Sequence, residues 1–148
     1  PQVMAELICD GIHIHPATVR ATFKMLGEDR IVLISDSMRA TGMKDGRYTL
    51  GGLDVDVKGK LATLVSDGAI AGSVTNLADC VRTAVKEMNI PLETAIACAT
   101  INPAKCLGID TETGSITAGK TADLLLLNGE LELKAVFKRG RLLESGTY

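Results

Sequence analysis

The sequence predicts an α/β protein with an additional β-rich portion, on three observations. Two apolar runs, "AELICDGIHI" and "RIVLISD", frame a stretch of helical periodicity, which is the strand, helix, strand unit of a parallel sheet. The middle, "DGRYTLGGLDVDVKGKLATLVSDGAIAG", sets short β-prone runs between glycine turns. After further helices the closing "TGSITAGKTADLLLLNGELELKAVFKRGRLLESG" returns to strands and turns.

Each element has its own justification. A parallel strand is covered on both faces, so "AELICDGIHI" and "RIVLISD" are apolar in both side-chain directions. Between them Pro16 suits a first helical position, Val19, Phe23 and Leu26 recur on one face, and Gly27 supplies the stop. Gly51 with Gly52, Gly59 and Gly68 punctuate the antiparallel hairpins. From Ser73, the candidate cap, the pattern turns helical, with a stripe of Leu77, Val81, Ala84, Val85 and Met88 that ends near Asn89. Pro91 opens the next helix, and "NPAKCLG" is a short one between an Asn cap and a Gly stop.

Composition narrows the function classes. With 148 residues and 46% hydrophobic content the chain can bury an ordinary core. Sixteen basic against eighteen acidic residues, with two Phe and two Tyr, give neither a basic stripe nor a stacking platform, so a nucleic-acid partner is not expected. The longest apolar runs fall well short of the ~18 residues of a membrane span, so no membrane partner is expected. Cys9, Cys80, Cys98 and Cys106 form no CxxC pair and read as reduced, packed thiols. The first residues show neither an initiator Met nor a signal peptide, so a cytoplasmic location and a start inside a longer protein are expected.

The stretch "IVLISDSM", Ile31 to Met38, ends an apolar strand abruptly at Ser35, Asp36 and Ser37. Asp36 either caps a following helix or stands as a catalytic group at the carboxyl end of a barrel strand. Asp10 either fixes the DG turn or approaches a ligand through its loop. Ile70, Ala71 and Gly72 precede a helical pattern, where free N–H groups can meet polar ligand atoms.

"DGIHIHP", then "ISDSM", "IAGS" before a helix, "NPAKCLGI" and the closing "GSITAGKTADLLLL" together resemble the C-terminal portion of the N-acetylglucosamine-6-phosphate deacetylase family of the amidohydrolase superfamily. The closing pattern marks only the superfamily; the order DGIH, SD, AGS is more specific. The resemblance implies a C-terminal fragment of a TIM-like (β/α)8 metal-dependent hydrolase barrel plus part of an accessory β-sandwich. It places residues 1–110 in the barrel part, with a β-hairpin insertion near 45–70, and residues 111–148 in the sandwich. It further implies a homodimer that hydrolyses N-acetylglucosamine 6-phosphate to glucosamine 6-phosphate and acetate with a divalent metal, zinc or iron. The family's metal ligands, a Glu and two His, come from earlier strands, so no metal ligand is expected in this chain, and the chain alone is expected to be inactive.

His13 and His15 lie two apart on one strand face, and His-x-His is a metal signature of many amidohydrolase barrels. That signature belongs to a first strand, far ahead of the catalytic Asp, whereas Asp36 follows His15 by only 21 residues. The resemblance instead makes His13 a substrate contact, leaves His15 structural, brings Asp10, Ile70, Ala71 and Gly72 to the amino sugar phosphate, and makes Asp36 the catalytic carboxylate. Two other readings stay open: an amidohydrolase acting on another substrate, such as a cyclic amide hydrolase or a deaminase, and a non-catalytic β-rich module.

Overall fold

The computed structural model describes residues 3–143. The chain divides into two compact units, 1–99 and 100–148, whereas the resemblance sets its division at residue 110.

The first unit opens with β1 (Ala5–Ile8), α1 (Pro16–Leu26), a 3-10 turn at Glu28–Arg30 and β2 (Ile31–Ile34). β1 and β2 pair in parallel from Ala5↔Ile31 to Ile8↔Ile34. Pro16 is the first residue of α1, and Gly27 at φ 78 ends it, its N–H donating to the Phe23 carbonyl. Ile31, Val32 and Leu33 are all buried, as a strand covered on both faces requires. α2 (Leu77–Lys86) and α3 (Leu92–Ala99) both pack on β2. Leu7, Val19, Leu33, Val81, Ala84 and Met88 belong to the resulting core.

The hairpin region is one antiparallel sheet of β3 (Gly46–Leu50), β4 (Leu53–Lys58) and β5 (Leu61–Leu64) in sequence order. Gly51 and Gly52 both hold positive φ in the two-residue turn, as a primed turn demands. β4 alternates cleanly: Val55 and Val57 are buried, while Asp54 and Lys58 are exposed. Val55, Val57 and Ala62 join Met38 and Ala40 in a second small core, against which Ala71 and Val74 pack.

Two expected caps are corrected. α2 begins at Leu77, and its cap is Asn76 rather than Ser73: Asn76 Oδ1 accepts from the Asp79 N–H at 2.9 Å, and its Nδ2 donates to the Asp79 carboxylate at 2.8 Å. In the second unit α4 (Ile101–Leu107) takes Thr100 at its N-cap position, so Asn102 is not the cap but a buried residue of the first turn. Gly108, at φ 69, is the expected stop.

The rest of the second unit is an antiparallel sheet in the order β6 (Leu124–Leu127), β7 (Leu133–Lys138), β8 (Arg141–Leu142). The closing motif holds its own turns together. Lys120 Nζ donates to Ser115 Oγ at 2.7 Å, and the Asp123 carboxylate accepts the Arg139 N–H at 2.8 Å and pairs with Lys138. The strand and turn expectations for 144–148 lie outside the described residues. Among the described residues no helix is long and apolar enough to cross a membrane.

Candidate active site

Two residues beyond the last paired positions of β1 and β2, Ile8 and Ile34, stand Asp10 and Asp36. The parallel register therefore delivers both carboxylates to the same, carboxyl, end of the strands, where α/β folds place their chemistry. Their environments are opposite. Asp10 is 1% exposed, whereas Asp36 is exposed.

Asp10 is buried because its loop supplies it with donors. Oδ1 accepts the backbone N–H of Ile12 at 2.9 Å and of His13 at 3.0 Å. Oδ2 takes the His13 ring Nδ1–H at 2.8 Å and the Ser73 hydroxyl at 2.9 Å. Burial alone pushes the Asp10 carboxyl up, but these hydrogen bonds outweigh it and hold the group below the usual carboxylate range. Gly11, at φ 82, makes the turn that folds the loop back onto the carboxylate.

His13 reaches the other way to the Ala71 carbonyl, Nε2 to O 2.8 Å. Burial lowers its pKa, but the bonds to Ala71 and Asp10 and the charges of Asp10 and Asp36 prevail and raise it. Ile70 and Ala71 run along the edge of β5: Thr63 bridges Ile70, and the Ala71 N–H donates to the Ala62 carbonyl at 2.9 Å. Gly72 passes so close to the strand end that a Cβ there would stand 3.4 Å from the Asp36 carbonyl oxygen and 3.4 Å from Met38 Cβ.

Ser73 ties the pieces together, a role its reading as a helix cap missed. It donates its N–H to the Asp36 carbonyl at 3.0 Å and accepts the Met38 N–H at 2.8 Å, a parallel bridge to the end of β2. Its hydroxyl reaches Asp10 and accepts the Thr75 N–H at 3.0 Å. The spacing Asn76 to Asp79 was the signal available in the sequence, since an Asn three residues before an acidic one marks a helix start and frees Ser73 for other work.

Asp36 caps no helix, because the next one begins at Leu77. Its φ is 51, left-handed for a residue with a Cβ, and among the described residues its carboxylate takes no hydrogen bond or ion pair. His13, Ala71, Gly72 and Asp10 are thus brought to the strand end that carries Asp36, and Ile70 is the exposed outer residue of the same segment. His15 is separate: its Nδ1 accepts the Ala17 N–H at 3.2 Å and caps α1. Cys9, Cys80 and Cys98 are buried; burial first, then neighbouring charges, push the Cys9 thiol up to about 12 and the Cys80 thiol to about 11, which leaves those two unreactive. Cys106 is free but exposed, against its expected packing.

A metal does not fit these residues. Among the described residues no three His, Cys, Asp or Glu side chains converge, and both ring nitrogens of His13 are already engaged.

The profile of the amidohydrolase family matches residues 1–143. The chain belongs to the amidohydrolase family. Within this family it is 38% identical over 143 residues to N-acetylglucosamine-6-phosphate deacetylase of Vibrio furnissii, covering 97% of this chain and 35% of the relative. It is 39% identical to N-acetylgalactosamine-6-phosphate deacetylase of Escherichia coli O157:H7, covering 93% and 36%. Among solved structures, N-acetyl-D-glucosamine-6-phosphate deacetylase of Mycobacterium smegmatis, as an Asp-to-Ala variant in complex with N-acetyl-D-glucosamine-6-phosphate, superposes with a TM-score of 0.88 at 38% identity, over 95% of this chain and 37% of that one. The amidohydrolase chain described here thus spans about a third of the length of these relatives.

Proposed function

We propose that this chain forms the Asp36-bearing part of an amino sugar 6-phosphate deacetylase that hydrolyses N-acetylglucosamine 6-phosphate to glucosamine 6-phosphate and acetate. The observation that carries the reading is Asp36 itself: an exposed carboxylate, unpaired among the described residues, in a left-handed backbone, pinned at its carbonyl by Ser73, at the carboxyl end of a parallel strand of an amidohydrolase. Opening an acetamide needs a proton removed from the attacking water and one delivered to the departing nitrogen. One carboxylate does both in turn, and an exposed, unpaired one is free to. The Mycobacterium smegmatis relative holds N-acetyl-D-glucosamine-6-phosphate with one Asp replaced by Ala, which fits a sugar phosphate site whose binding does not need that carboxylate.

In this reading β1 and β2 are the last two strands of a TIM-like barrel, and β6 to β8 belong to an accessory β-sandwich. His13, Asp10, Ile70, Ala71 and Gly72 form the wall that meets the amino sugar. A divalent metal, zinc or iron, is ligated by residues of the larger enzyme outside this chain, and that enzyme is a cytoplasmic homodimer; these residues alone do not catalyse the reaction. Similar identity to glucosamine and galactosamine relatives leaves the C4 epimer as the point to measure. Acetate release from both N-acetylated 6-phosphates by the enzyme carrying these residues tests the proposal: turnover of the glucosamine substrate is expected, and release from neither sugar contradicts it.

A further inference from the structure

His13 is held at both ring nitrogens by atoms of this chain, with Nδ1 2.8 Å from Asp10 Oδ2 and Nε2 2.8 Å from the Ala71 carbonyl oxygen. A carbonyl oxygen only accepts, so Nε2 carries a proton. Asp10 is buried and receives two backbone N–H groups and the Ser73 hydroxyl besides the ring. Four donors converging on one carboxyl stabilise its ionised form, and facing a carboxylate Nδ1 carries a proton as well. The ring is therefore an imidazolium. Its charged neighbours agree: Asp10 faces it from its own loop and Asp36 from the end of β2, the 70–72 segment brings no charge, and from the α2 side Glu87 stands beside Gly11.

Resting on the deacetylase reading, we propose that His13 works as a fixed, doubly protonated donor, a positioning residue that takes no part in proton transfer. Its Nδ1–H is anchored in the buried carboxylate of Asp10. Its Nε2–H holds the Ala71 carbonyl and with it the 70–72 segment, which Ser73 fastens to the strand end carrying Asp36. With one N–H spent on Asp10 and the other on the Ala71 carbonyl, the ring has no lone pair with which to act as a base, and Asp36 is left as the one group of this cluster that takes up and releases the reaction's proton. The buried anchor distinguishes this arrangement from an ordinary surface histidine, because its side chain is only 17% exposed and that of Asp10 is 0% exposed.

The test is the charge on the ring. The protein carrying these residues is labelled with 15N-histidine, and the His13 signals are identified by their loss in His13→Gln or, should that variant not fold, by their selective shift in Ser73→Ala. The expected result is two protonated-type nitrogen shifts at pH 7, above the ordinary histidine value of about 6.5. One bare ring nitrogen at pH 7 overturns the proposal. The second measurement is the pH profile of kcat/KM for His13→Gln, or for Ser73→Ala in its place. A lowered profile that keeps every limb of the parent supports a positioning residue, and the disappearance of a limb overturns it. Failure of the deacetylase reading shows separately, as an imidazolium signature in a protein that releases no acetate.

Discussion

The backbone N–H of Ser73 donates to the carbonyl oxygen of Asp36 at 3.0 Å, while the Ser73 hydroxyl donates to the buried Asp10 carboxylate at 2.9 Å. One serine thus connects the ends of both parallel strands. Ser73→Ala should cost about 1–3 kcal/mol, because Asp10 loses a donor and the Thr75 N–H loses its acceptor inside the protein. Urea midpoints of the two proteins measure it, and coincident midpoints would show that the hydroxyl holds nothing together.

Asp36 sits at φ 51, a region that Asn and Asp adopt at less cost than most side chains with a Cβ. Asp36→Asn should therefore leave stability within about 0.5 kcal/mol of the parent, whereas Asp36→Ala should cost about 1–2 kcal/mol. Equal losses in thermal or urea unfolding would remove the backbone argument. The contrast also makes Asn the right replacement for kinetics.

Stability should depend on pH through Asp10 and His13. The Asp10 pKa is lowered from its ordinary 3.8, so its contribution is present above that pH and is lost as pH falls through the lower folded value. The His13 pKa is raised from its ordinary 6.5, so its contribution is complete below that pH and is lost as pH rises through the higher folded value. The stability difference between the parent and His13→Gln should be flat between 3.8 and 6.5 and shrink on the alkaline side. A difference that grows with pH above neutrality would reverse the assignment.

How much of this was legible in the sequence follows from how local each signal is. Pro16 and Gly27 mark α1 because helix starts and stops are set by the residues standing there. The glycine pair at 51 and 52 marks its hairpin for the same reason. Asp36 was readable as the residue closing an apolar strand, but its freedom from a capping role depends on where the next helix begins. Ser73 was misread because its partners, Asp10 and Asp36, lie far away in sequence and no periodicity records them. Asn102 was misread as a cap because an Asn beside a Pro at a helix start looks the same whether it faces solvent or interior.

Gly114 supplies a test in the second unit. Its φ is 89, and an added Cβ would stand 2.8 Å from Ala104 Cβ and 3.0 Å from Ile101 Cα, contacts that force α4 to shift. Left-handed strain of about 1–2 kcal/mol adds to overpacking of about 1–3 kcal/mol. Gly114→Ala should thus be a severe variant by calorimetry, and a melting temperature equal to the parent's would contradict the tight approach of this turn to α4.

The central claim is that Asp36 carries the proton in acetamide hydrolysis, and steady-state kinetics of Asp36→Asn in the enzyme carrying these residues tests it most directly. Asn keeps the size and the backbone conformation but cannot take up and return a proton. The account predicts a kcat lower by about 100- to 10,000-fold, with substrate still bound and metal content unchanged. Near-normal acetate release by the Asp36→Asn enzyme would contradict it.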